Sequence, residues 1–185
     1  MIRRQVLLLP VVLLSAACTT AVGGAPGPDS SGPQLPPRPR VLNIEGTEPC
    51  GTLTSAQIKS LGVARYGATT PDGRQGPGCD WDHYPAEPIE HYSVGINTRG
   101  GVELVFGQPQ LEVTKIAGFG AVQTPGLYSN GDRDCVVNVD VAPSQAVQVG
   151  YFYNGQTVPM THELACQKAR NAAELAMQTI LTQAG

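Results

Sequence analysis

The sequence predicts one α+β domain: an antiparallel sheet of four to five strands packed by a short N-terminal helix and a long C-terminal helix. Three observations carry that prediction. Cys135–Val141 and Ala146–Tyr153 alternate apolar and polar positions on either side of Ala142-Pro143-Ser144-Gln145, as the strands of a hairpin do. Ala165, Ala169, Ala172, Ala176 and Ile180 form a stripe at helical spacing near the C-terminus. The 22 Gly and 16 Pro in a chain of 185 residues favour a turn-rich mixed fold over a helical bundle.

The first segment reads as an export signal. Arg3 and Arg4 precede an apolar run, Val6–Leu14, which is interrupted by Pro10 and is too short for a comfortable membrane span. Ser15-Ala16-Ala17-Cys18 then supplies small residues ending in cysteine. Residues 1–17 are therefore expected to be a lipoprotein signal peptide, with Cys18 as the lipid-attachment residue. Ser15 stands where a lipobox usually has Leu, Val or Ile. Because Ser15-x-Ala17 also fits ordinary signal cleavage, a secreted soluble protein is the alternative. Residues 18–40 read as the lipidated cysteine and a Pro/Gly-rich tether, since their few apolar residues show no period. The domain is expected over residues 41–185, about 145 residues, enough for one core.

Within the domain, Thr54 and Gln57 form a capping box. Leu53 and Ile58 stand where a hydrophobic staple needs them, and Gly62 stops the helix after Leu61. Residues 67–78 read as an exposed loop. Cys79-Asp80-Trp81 opens a strand, and Tyr92–Ile96 alternates as a half-buried one. Leu111–Ala117 alternates as well, with Leu111, Val113 and Lys115 on one face, before a break at Gly118-Phe119-Gly120. The last helix is expected from about Thr161, its N-cap, to Gln183.

Four cysteines, Cys50, Cys79, Cys135 and Cys166, lie in the domain, and Cys18 is the odd one. The hairpin returns the chain beside Cys135 shortly before Cys166 enters the helix. This favours Cys135–Cys166 and leaves Cys50 for Cys79; the two other connectivities stay open.

Charge excludes one class of function. Four of the 12 basic residues but only one of the 15 acidic residues precede Val41, leaving the domain with 8 basic and 14 acidic residues, net −6. Such a surface lacks the basic footprint of nucleic-acid binding. No catalytic motif stands out. His162-Glu163-Leu164-Ala165-Cys166 has a cysteine where a zinc-protease helix needs its second histidine. Asp82, His83 and His91 are the residues that could ligate a metal if their loop folded back, though ordinary surface charge explains them better. Asn130–Asp134 lacks the alternating oxygens and closing Glu of a calcium loop. Trp81 reads as core beside a half-cystine. In Tyr151-Phe152-Tyr153, alternation turns Phe152 to the opposite face.

Pro49-Cys50, Leu53-Thr54, Gly62, Cys79-Asp80-Trp81, Ala117–Val122, Cys135-Val136-Val137 and Cys166 with Ala169, Ala173 and Leu181 together resemble the domain of unknown function 3558 family of actinobacterial lipoproteins. The resemblance covers essentially the whole mature domain. It implies a cell-envelope lipoprotein and supplies no mechanism. The expectation is a membrane-anchored, extracytoplasmic protein that is not an enzyme and needs no cofactor or metal. It would meet the membrane through its lipid and serve as an interaction module for an envelope protein. The alternative is a carrier of a small hydrophobic or lipidic ligand in a cleft between sheet and helix.

Overall fold

The structure, a computed structural model, describes residues 32–69, 76–83, 89–126, 133–155 and 159–184. The expected signal peptide, Cys18 and the first part of the tether lie outside the described residues.

Among the described residues, seven strands form one antiparallel sheet: β1 (Arg65–Thr69), β2 (Gly78–Asp82), β3 (Ile89–Asn97), β4 (Glu112–Ile116), β5 (Phe119–Pro125), β6 (Cys135–Ala142) and β7 (Gln145–Asn154). Their order is β1-β2-β3-β7-β6-β5-β4, so two meanders meet at the β3–β7 pair. Helix α1 (Ser55–Ser60) precedes the sheet and α2 (His162–Gln183) closes the chain. The strand count corrects the expected four to five. The two strands missed are β1, which runs into what reads as an exposed loop, and β5, which begins at the supposed Gly118–Gly120 break. That break is instead a two-residue turn at Ala117 and Gly118, both with positive φ (49° and 88°), the backbone of a tight hairpin.

One face of the sheet carries the main core. Cys135, Val137, Val139 and Val141 of β6 and Val147, Val149, Tyr151 and Tyr153 of β7 all point to it and are buried. Helix α2 lies on β6 and β7 through Ala165, Ala169, Ala172, Ala173 and Ala176, each fully buried. Small side chains let the helix axis come close, so the sheet's valines fill the space between. Thr161 caps α2 by accepting from the Leu164 amide, and Thr54 with Gln57 forms the capping box of α1. Helix α1 then docks on α2: Gln57 Nε2 donates to the Leu175 carbonyl and Thr179 Oγ1 to Gln57 Oε1.

Disulfides join Cys50 to Cys79 and Cys135 to Cys166. The second ties the start of β6 to the first turns of α2, and the first ties the segment before α1 to β2.

The opposite face of the sheet is covered differently. A short 3₁₀ turn, Val102–Val105, and the first part of the segment that begins at Gly32, up to about Pro39, lie over β4, β5 and β6. A minor cluster forms there from Val102, Val122 and Ala146, with Leu35, Val105, Phe106 and Leu111 against it. The compact body thus begins by Gly32 rather than at 41. Residues 32–44 carry specific partners, which the Pro-rich composition of 32–40 conceals. Arg38 Nη2 pairs with Asp140 Oδ1 at 2.6 Å, the Leu42 amide donates to the Val141 carbonyl, and the Ile44 amide to Gln145 Oε1. Leu35 belongs to the minor cluster whereas Leu42 and Ile44 enter the main core. This strap therefore crosses from one face to the other past the β6–β7 turn. The Leu111/Val113/Lys115 side of β4 points to this second face, and Ile116 is the β4 residue that enters the main core.

Candidate functional site

Two groups of polar side chains mark places where chemistry or recognition would sit. The first lies on the helix face, where β3 and β7 meet α2. Glu90 Oε1 accepts from Lys168 Nζ at 2.7 Å and from the Tyr151 hydroxyl at 3.1 Å. Lys168 also stands 5.3 Å from the centroid of the Tyr151 ring. The Tyr92 ring tilts against Tyr151, ring centroids 5.1 Å apart. Burial, and then the Glu90 carboxylate, push both phenols well above the ordinary tyrosine range. Both hydroxyls therefore stay protonated at any physiological pH, and Glu90 is engaged twice. The arrangement suits a lock between helix and sheet better than a nucleophile with its base.

The second group lies on the opposite face, on the β2–β3–β7 side that the strap does not reach. Alternation brings Asp80 and Asp82 of β2, His91 and Ser93 of β3, and Phe152 of β7 to one surface. His91 Nε2 is 3.2 Å from Asp80 Oδ1, and its ring tilts against Phe152 with centroids 5.4 Å apart. Phe152 folds back across Gly150, where an added side-chain carbon would lie 2.5 Å from the ring and 2.6 Å from Ser93 Oγ. Only glycine admits that approach, so the aromatic seals the sheet instead of standing free.

The metal candidates do not converge. Asp82 faces His91 across the ladder, while His83 lies past the strand end, its backbone amide on the Glu90 carbonyl. Among the described residues no group of three His, Cys, Asp or Glu is placed to hold a metal ion. Cys166 is in a disulfide, which removes its ligand capacity, and His162 Nε2 merely sits 3.5 Å from its sulfur. Of Asn130–Asp134, residues 130–132 lie outside the described residues. Asp134 uses Oδ1 to accept from the Tyr153 amide, a structural clamp. Trp81 is fully buried on the same face as Cys79.

Sequence reasoning missed the Glu90–Lys168–Tyr151 lock, the Arg38–Asp140 pair and the link from Arg170 to Gln123 Oε1 and Glu163 Oε1. A partial signal exists for each of them. Lys168 and Arg170 flank Ala169 on the buried stripe of α2, where a cation has to find an acceptor at the stripe's edge. Asp140 sits between Val139 and Val141 in the strongest strand of the chain, and a carboxylate there calls for a partner.

No curated protein and no solved structure matches this chain. A family model does, over residues 13–179, nearly the full length and including Cys18 and all four bridged cysteines. The chain belongs to the DUF3558 family, whose description is "protein of unknown function".

Proposed function

We propose that this is a lipid-anchored protein of the extracytoplasmic side of a cell membrane, whose domain works there as a non-enzymatic interaction module. Cysteine parity carries the reading. All four cysteines of the domain are spent in two disulfides, which persist in oxidising compartments outside the cytosol. The fifth, Cys18, then stands alone behind a charged, apolar and small-residue leader, where a diacylglycerol would be attached. Two or more acyl chains, at about 0.8 kcal/mol per buried CH₂, give stable attachment that a single chain does not.

The interaction reading is supported by how the polar groups are used. Glu90, Lys168 and Tyr151 satisfy one another, and His91 is held between Asp80 and Phe152. The carrier alternative needs space between sheet and helix. Five fully buried alanines bring α2 down on β6 and β7 and favour the close-packed arrangement.

Replacing Cys18 with Ala tests the anchor. Fractionation of cells making Cys18→Ala should find the protein in the medium or the soluble fraction, with the parent chain in membranes. Unchanged membrane retention of the variant overturns the acylation.

A further inference from the structure

Among the described residues, three large apolar residues are exposed: Val41 at 68%, Leu104 at 65% and Val113 at 43%. Two of them border the minor cluster. Leu104 belongs to the 3₁₀ turn that supplies Val102 and Val105, and it folds over Gly100. Val113 is the ladder partner of Val122, a member of that cluster. With the partly buried Leu35, Val105, Phe106 and Leu111 they make one apolar patch on the face opposite α2. Grouped apolar side chains of this size on one side of a small domain mark a place of contact.

The patch is also where the N-terminal segment joins the domain. A side-chain carbon added to Gly32 would lie 2.6 Å from the Phe106 ring, so the chain arrives directly on the patch. Thirteen residues separate Cys18 from Gly32. Fully extended they bridge at most about 45 Å. Local charge points the same way. Residues 32–44 and 98–116, which build the patch and its surroundings, hold Arg38, Arg40, Arg99 and Lys115 against Glu103 and Glu112; with Arg38 matched by Asp140, Arg40, Arg99 and Lys115 still outnumber the two acids. The domain as a whole has the opposite balance.

We propose that this patch rests on the bilayer into which Cys18 is anchored, with Leu104 and Val113 entering the headgroup boundary and Arg40, Arg99 and Lys115 facing anionic lipid. The inference rests on the lipid-anchor reading. A few apolar side chains hold a membrane weakly by themselves. A short tether makes the encounter intramolecular, so even a weak contact is populated. Docked this way, the domain turns α2 away from the membrane. The exposed Gln167, Asn171, Gln178 and Thr182 of that helix then form the surface offered to a partner.

The test uses purified full-length protein in vesicles of phosphatidylcholine and phosphatidylglycerol, with or without brominated acyl chains. Leu104→Trp, Val113→Trp and, on the far side, Gln178→Trp are compared with the parent, whose Trp81 is fully buried. Mass spectrometry of the Cys18 peptide is run on each sample. The added emission at 104 and 113 is expected to fall roughly twofold with brominated lipid, as for side chains lying 5–10 Å into the boundary, and that at 178 to stay constant. Equal or absent quenching at all three positions, with Cys18 acylated, overturns the docking and leaves the anchor intact. An unmodified Cys18 overturns the anchor and the docking with it. A blue shift at 104 that follows protein concentration and not brominated lipid overturns the docking in favour of a second copy on the patch.

Discussion

The two faces of the sheet are built on different terms. The helix face is made of side chains selected for shape: valines and tyrosines from β6 and β7, alanines from α2, and a bridge from Cys135 to Cys166. The opposite face is made of chain laid over chain. There a strap and a 3₁₀ turn cover β4–β6, and Phe152 shields the bare backbone of Gly150. Substitution is resisted on the first because every volume is committed. On the second, much of the fixing comes from backbone hydrogen bonds and the Arg38–Asp140 pair, and apolar side chains are left at the surface. The contrast teaches that one sheet can carry a fully committed core on one side and a looser, partly apolar surface on the other.

The largest way to break this contrast is through the bridges, both of which brace the helix face. Each spans about 30 residues of chain (separations 29 and 31). In the chain-entropy model that is worth roughly 3.5 kcal/mol apiece. Full reduction is expected to lower the melting temperature sharply in a calorimetric scan, and an unchanged melt would show that the core stands without them.

Next in size is a pair of substitutions, one per face. Ala172→Leu inserts volume under α2 and is expected to cost about 1–3 kcal/mol in denaturant unfolding. Val113→Ser on the second face should stay within about 0.5 kcal/mol. Equal costs would erase the distinction between the faces.

The third way sharpens it, by pH. Tyr92 and Tyr151, both on the helix face, have phenols raised above the ordinary value of 10.0 by burial and by Glu90. Their contribution is fully present below that value. Above it the unfolded chain sheds these protons while the folded one keeps them, so stability falls as pH rises. Each tyrosine contributes a slope of up to about 1.4 kcal/mol per pH unit. Denaturant melts of the parent and of Tyr151→Phe between neutral and strongly alkaline pH should show a shallower alkaline loss in the variant. Identical slopes would mean that Tyr151 ionises as freely folded as unfolded.

How much of this was legible in the sequence follows from the same division. Alternation at Cys135–Tyr153 and the alanine stripe reveal the helix face, because burial on one side imposes a period. Strand β5 escaped because six of its seven residues, Phe119 to Thr124, are buried, so it does not alternate. Strand β1, Arg65–Thr69, has no apolar period and gains its place by pairing with β2. Residues 32–40 were read as tether because Pro-rich composition says nothing of the Arg38 partner Asp140, 102 positions away. The same distance hid the lock: Glu90 and Lys168 are 78 residues apart. Local pattern reports who is buried; it does not report with whom.

The strap has a consequence for the order of events during synthesis. Arg38 and Ile44 wait for residues 140 and 145, β3 waits for β7, and Gln57 waits for Leu175. A nascent chain lacking its last third has no completed sheet centre, and such long-range closure is intrinsically slow. For the export proposed above, that delay would be an advantage: the earliest segments would stay loose until the final helix had emerged on the other side.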